Sequence, residues 1–246
     1  MPRKPIIKLV DVYKYYRVGS IVTPALRGVN LEIEEGDFIA IMGPSGSGKT
    51  TLLNIMGLLD RPTKGKVYIL GYDVSKLPDH VLARIRNRVI GFVFQQFNLI
   101  NRLTVYENIE LPLIPRGVPK KVRRRLVLEA LKKAAGDPSW LSKKPLQLSG
   151  GQQQRVAIAR AIVGSPKLIL ADEPTGNLDR KSAAQVVSTF MELNSRGQTI
   201  VVVTHDPEVA NCTRKIHVIR DGRIIATQEP DRDRCIVERV ATSGGA

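Results

Sequence analysis

The eight residues Gly43-Pro44-Ser45-Gly46-Ser47-Gly48-Lys49-Thr50 fit the spacing G-x-x-x-x-G-K-[ST] in full. Glycines here let the backbone curl until successive N–H groups converge on one anion, and a helix starting near Lys49 adds the positive end of its dipole. That chemistry suits the phosphate chain of a nucleotide. Lys49 is then expected to reach the outer phosphates, the Thr50 hydroxyl to ligate Mg²⁺, and Thr51 to bond a nearer phosphate. A second cluster agrees with the first. Leu168-Ile169-Leu170-Ala171 is an apolar run ending in Asp172-Glu173, which puts both acids at the carboxyl edge of a sheet, where open α/β folds bind ligands. Asp172 is expected to hold Mg²⁺, and Glu173 to orient and polarise a water as general base. Taken alone, two acids after a strand would more often cap the following helix.

Positioning these groups requires strands that end together. Phe38-Ile39-Ala40-Ile41-Met42 reads as a buried strand before the Gly-rich loop, and Lys49 to about Leu59 as the helix after it. Val89 to Phe94, Leu168 to Ala171 and Ile200 to Val203 are further buried strands, with a helix over Ser182 to Leu193 between the last two. Such alternation implies a mostly parallel sheet. Leu26 to Glu34, alternating from Val29 to Ile33, and Lys66 to Tyr72 look like antiparallel strands beside it. Between about Phe97 and Gln147 the pattern turns helical: Lys120-Lys121-Val122-Arg123-Arg124-Arg125 leads into apolar Leu128, Leu131 and Ala135. Asp221-Gly222 between two short apolar runs signals a hairpin. The expected organisation is one α/β domain: a core with its antiparallel β subdomain over about 1–96 and 148–228, an inserted helical subdomain over about 97–147, and a polar, loosely held tail over about 229–246.

Composition narrows the setting. Lys and Arg number 38 against 23 Asp and Glu, a net charge of +15, which favours an anionic partner such as nucleotide, nucleic acid or lipid headgroups. Solubilising surfaces or heat-adapted ion-pair networks give the same excess. Met1-Pro2-Arg3-Lys4-Pro5 lacks the apolar stretch of a secretory signal, and no apolar run approaches a membrane span. A cytoplasmic chain is expected. Cys212 and Cys235 offer neither a disulfide framework nor zinc-site spacing, and are read as incidental.

Leu148-Ser149-Gly150-Gly151-Gln152, followed by Gln153-Gln154-Arg155-Val156-Ala157-Ile158-Ala159-Arg160, resembles the signature of ABC (ATP-binding cassette) transporter ATPases. Physically it is another anion site, a hydroxyl and glycine amides at a helix start. The resemblance extends from Ile7 to about Ile225. It implies a P-loop NTPase (RecA-like) fold that binds and hydrolyses ATP with Mg²⁺, the signature serving the ATP of the opposite subunit in a head-to-tail homodimer. Gln95 resembles the Q-loop glutamine that senses metal and γ-phosphate, Gly176-Asn177-Leu178-Asp179 the D-loop crossing the dimer interface, and His205 the switch histidine on the γ-phosphate. Tyr16 aligns with the aromatic that stacks on adenine, with Tyr13 and Tyr15 as competitors. Adjacent strand residues face opposite sides, so Tyr15 is expected to pack inward.

Gly91 to Leu99 and Leu103 to Leu113 are similar to the subfamily serving lipoprotein release, macrolide-type export and cell-division-associated permeases. That similarity implies transmembrane permease subunits gripped by the helical subdomain, and a place at the cytoplasmic face of the membrane; with no spanning run in this sequence, the permeases are expected to be separate chains. Two other classes compete. A DNA-repair or chromosome ATPase would suit the charge, but the stretch between Gln95 and Ser149 is too short for a long coiled coil and lacks sustained heptads, so no specific nucleic acid is expected. A soluble cassette acting in cofactor assembly or translation would differ by not co-purifying with a membrane protein.

Overall fold

The computed structural model describes residues 5–243; residues 1–4, which open the stretch read for a signal, lie outside it. Strands β1 (Pro5–Val18) and β2 (Ile21–Glu34) pair antiparallel. One face of this ribbon buries Ile7, Leu9, Leu26 and Ile33, the side-chain alternation of a pleated strand with one face to the core. The uniformly apolar β3 (Phe38–Met42) follows, then α1 (Lys49–Met56). β4 (Lys64–Ile69) and β5 (Tyr72–Asp73) complete a four-stranded antiparallel sheet in the order β2-β1-β4-β5.

The second sheet carries the chemistry. After α2 (Asp79–Val89) come β6 (Ile90–Phe94), α3 (Val105–Glu110), α4 (Lys120–Lys133), α5 (Gly150–Ile162), β7 (Leu168–Asp172), α6 (Arg180–Ser195), β8 (Thr199–Thr204), α7 (Pro207–Ala210), β9 (Lys215–Arg220) and β10 (Arg223–Gln228). Its order is β10-β9-β3-β8-β7-β6, parallel from β9 through β6, with β10 the antiparallel edge. β3, β7 and β8 are buried along nearly their whole length, as expected of strands covered on both faces.

The helical stretch starts with a capping box, in which Thr104 accepts from the Glu107 N–H and Glu107 accepts from the Thr104 N–H. Buried Asn108 accepts from Ile100 N–H at 2.8 Å and donates to the Thr104 carbonyl at 2.9 Å, fixing the loop before α3. The buried stripe of α4 is Val127, Ala130 and Leu131, continued by the buried C-cap Ala134. Ala135, expected inside, is exposed and left-handed (φ 53°), because the helix has already ended at Lys133.

The C-terminal segment departs most from expectation. Helix α8 (Ile236–Ser243) follows β10 and packs on α6, so the end of the described chain is held rather than loose. Cys212 and Cys235, read as incidental, form a disulfide across 23 residues, with both sulfurs buried. Glu208 adds ion pairs to Arg180 at 3.1 Å and to Arg239 of α8 at 2.5 Å. A cross-link over this span is expected to contribute about 3 kcal/mol, chiefly by restricting the unfolded chain. Reduction should then lower Tm by roughly 6–12 °C. Calorimetry with and without reductant checks this, with Cys235→Ser showing the lower Tm in both.

Candidate active site

Sheet register brings the implicated residues to one edge. Met42 of β3 pairs with Thr204 of β8, Val203 of β8 with Asp172 of β7, and Asp172 with Phe94 of β6. The four strands therefore end in a row, and the next residue along each is Gly43, His205, Glu173 or Gln95. This is the carboxyl edge at which a parallel sheet offers a ligand crevice.

Gly43 must be glycine, since a Cβ there would stand 2.2 Å from the Ile219 carbonyl oxygen. Gly48, at φ 103°, caps α1 in a left-handed conformation, and a Cβ there would stand 2.6 Å from the Ala25 carbonyl oxygen. Pro44, Ser45, Gly46 and Thr50 are open to solvent, whereas Ser47 and Lys49 are buried. Lys49 Nζ donates to the Gly43 and Pro44 carbonyls at 2.7 and 2.9 Å, which holds the ammonium over the loop. The hairpin tip also supports this loop: Gly222 N–H donates to the Ser47 carbonyl at 2.9 Å, and Arg27 N–H to the Gly222 carbonyl at 2.8 Å. Sequence reading found the turn at Asp221-Gly222 but not this role.

Asp172 lies behind the loop. Burial, reinforced by the neighbouring Glu173 charge, pushes its carboxyl above the usual aspartate range, against the opposing pull of Lys49 and a Thr50 hydrogen bond. One of its oxygens is buried with no hydrogen-bond partner. A desolvated carboxylate oxygen beside a threonine hydroxyl is the hard-oxygen donor set that Mg²⁺ takes when phosphate supplies other ligands. The residues present fit that ion.

Glu173 has a left-handed backbone, φ 44°, uncommon for a residue with a Cβ. Its N–H donates to the Val203 carbonyl at 2.8 Å. Its carboxylate accepts from Thr204 Oγ1 at 3.1 Å and lies 2.9 Å from His205 Nδ1. Glu173 and His205 therefore act as one hydrogen-bonded pair. Gln95 Nε2 donates to Asn177 Oδ1 at 3.2 Å, and Asn177 Nδ2 returns a bond to the Gln95 carbonyl at 3.1 Å. That exchange ties the β6 end to the loop after β7.

Ser149 caps α5 in a reciprocal box with Gln152. Leu148 is buried and anchors the approach. The α5 N-terminus abuts the start of α6: a Cβ on Gly151 would meet Ser182 Oγ at 2.9 Å, and one on Gly150 would meet Leu178 at 3.3 Å. Asp179 caps α6, accepting from Ser182 N–H at 2.9 Å and Ser182 Oγ at 2.6 Å. Segments 148–152 and 176–179 thus share one surface. Of the aromatics, Tyr16 is 40% exposed, with Lys14 5.0 Å from its ring centroid and its hydroxyl donating to Asp60 at 2.9 Å. Tyr15 does not enter the core as expected; it is half-buried and stacks with Tyr13.

Comparison with known proteins bears on the family and the fold. Residues 26–176 match the family model described as ABC transporter. An ABC transporter ATP-binding protein of Thermotoga maritima, otherwise uncharacterised, is 55% identical over 221 residues, covering 90% of this chain and 94% of that one. The macrolide export ATP-binding/permease protein MacB of Chlorobium luteolum is 49% identical over 231 residues, covering 94% of this chain but 34% of MacB. The dimeric structure of MJ0796, a bacterial ABC transporter cassette, aligns with a TM-score of 0.85 at 49% identity over 92% of this chain and 99% of that one. A second MJ0796 dimer, in a post-hydrolysis state bound to ADP and Pi, gives a TM-score of 0.84 at 48% identity, again over 92% of this chain and 99% of that one. MJ0796 is from Methanocaldococcus jannaschii. Matched by that family model over residues 26–176 and 55% identical to an ATP-binding relative over 90% of its length, the chain belongs to the ABC transporter family as an ATP-binding, ATP-hydrolysing cassette.

Proposed function

We propose that this cassette closes as a homodimer around two Mg²⁺-ATP molecules and drives separate permease chains at the cytoplasmic face of a membrane. The observation that carries the reading is the row of four strand ends, together with a second loop of phosphate-binding character, Ser149 to Gln152, on another helix. One chain holds its own ATP with Gly43 to Thr51 and lends its signature to its partner's ATP. Among the described residues no helix is long and apolar enough to cross a membrane. MacB, whose name joins ATP-binding and permease functions, extends well beyond the part matched here.

In this reading loop amides and Lys49 bind the phosphates, and Tyr16 stacks on adenine. Thr50, Asp172 and Gln95 would hold Mg²⁺, which when bound neutralises charge on the phosphate oxygens. Glu173 accepts the proton of the attacking water. His205, hydrogen-bonded to Glu173, holds that carboxylate in place and contacts the γ-phosphate. Asp179 and its loop face the partner across the interface.

Because ATP is part of the interface, specific activity should rise with protein concentration and then level off. A flat dependence over a hundredfold dilution, with sedimentation showing monomer throughout, would sink the dimer. Chelation by EDTA should stop turnover and excess Mg²⁺ restore it. Lys49→Ala should weaken equilibrium ATP binding about tenfold or more, the loss of a charged hydrogen bond. His205→Ala should leave binding nearly intact and lower kcat about 10²-fold. Equal loss of affinity in both variants would remove His205 from the γ-phosphate.

A further inference from the structure

Of the three polar residues Gln153, Gln154 and Arg155 that follow the signature, the first and last bond near the surface, Gln153 to the Leu148 carbonyl at 3.1 Å and Arg155 to Gln185 at 2.8 Å. Gln154 alone is fully buried. Its Nε2 donates to the Pro174 carbonyl at 2.6 Å and lies 3.3 Å from the Phe94 carbonyl. Its Oε1 is buried and accepts nothing. The orientation is set by chemistry, since a flipped amide would press its oxygen against two carbonyl oxygens.

The two carbonyls are not arbitrary. Pro174 directly follows Glu173, and Phe94 directly precedes Gln95. β6 and β7 cease to pair at Phe94 and Asp172, and Pro174 has no N–H to extend the ladder. One side-chain amide therefore takes over where the sheet stops. It joins the carbonyl of the residue after the base to the carbonyl of the residue before the Q-loop glutamine, from the helix that begins with the signature. A methionine would fill the same volume and remove the orphan Oε1, but it would leave the Pro174 and Phe94 carbonyls without this donor. The orphan Oε1 thus accompanies an Nε2 donor that serves two strand-end carbonyls and that no apolar side chain could supply.

We propose that Gln154 is a positioning residue for hydrolysis, setting the left-handed Glu173 peptide and the start of the Q-loop relative to the signature helix. This rests on the assignment of Glu173 as base. Without the amide donor, Pro174 loses its partner, the Glu173 carboxylate shifts from the attacking water, and kcat falls while the Gly43 to Thr51 loop still binds ATP.

The test compares Gln154→Met with the unaltered full-length chain, alone and in a Glu173→Gln background. Expected is a kcat reduced about tenfold or more, monomer affinity for ATP within about twofold, and less than about a twofold further loss once Glu173 is already Gln. Full kcat in Gln154→Met, a parallel loss of ATP affinity, or the same fold-loss in both backgrounds would overturn the proposal. Gln154→Glu supplies a second reading should Met fold poorly. Its buried acid regains an O–H donor when protonated, so its kcat relative to the unaltered protein should climb as pH falls from about 8.5 to 6; a flat ratio also counts against the role. Near-normal turnover of Glu173→Gln by itself would instead refute the base assignment and leave Gln154 without a function to position.

Discussion

Replacing Glu173 with Gln is expected to lower the kcat of ATP hydrolysis by about 10²-fold or more while leaving ATP affinity nearly unchanged. The amide keeps the shape of the carboxylate and can still meet Thr204 Oγ1 and His205, which lie 3.1 and 2.9 Å from the native oxygens. What it cannot do is accept a proton from water. A cassette that binds ATP, closes and then fails to hydrolyse should accumulate as an ATP-bound dimer, visible by sedimentation of the variant with Mg²⁺-ATP. Near-normal turnover in the purified variant would remove Glu173 from the role and turn attention to other carboxylates on this edge.

Ser149→Arg should abolish both hydrolysis and ATP-driven dimerisation while sparing ATP binding to the single chain. The substitution sets a bulky cation where a hydroxyl and the Gly150 and Gly151 amides should meet the partner's γ-phosphate, and in a symmetric dimer it blocks both sites at once. Ser149 also caps α5 through Gln152 N–H at 3.3 Å, so part of any defect is the loss of a cap, typically about 1 kcal/mol. Ser149→Ala separates the two effects: it loses the cap without adding bulk, and should fall in Tm like Ser149→Arg yet still form some dimer. ATP titration of dilute monomer should show Ser149→Arg near the unaltered protein and far from Lys49→Ala. Loss of monomer affinity as severe as that of Lys49→Ala, or normal dimerisation with ATP, would make the shared-site reading wrong.

The elements nearest the chemistry were the most legible. β3 coincides with the apolar run Phe38 to Met42, and the loop after it is specified by contacts only glycine tolerates, such as Gly43 against the Ile219 carbonyl. β7 and β8 were readable because strands covered on both faces need unbroken apolar runs. α2 went unread because Leu82 is its one fully buried residue, leaving too narrow a stripe to show periodicity. The burial phase of α4 was misjudged because its long basic start hides where the apolar face begins. Gln154 draws no role from the sequence alone, since its burial depends on two strand ends distant in sequence. The C-terminal helix escaped for the same reason: its partners are α6, Cys212 and Glu208, none of them local.

The Cys212–Cys235 cross-link has a further consequence for how the chain meets reductants. The two cysteines are 1% and 0% exposed beneath α8, and thiol–disulfide exchange requires a thiolate to approach a sulfur directly. Attack must wait until α8 lifts from α6, so the rate of reduction measures the frequency of that local opening as much as the strength of the reductant. Raising the temperature or weakening the Arg239–Glu208 contact would speed reduction even in a fixed thiol buffer. The lifetime of the bond is thereby a clock for the docking of the last helix.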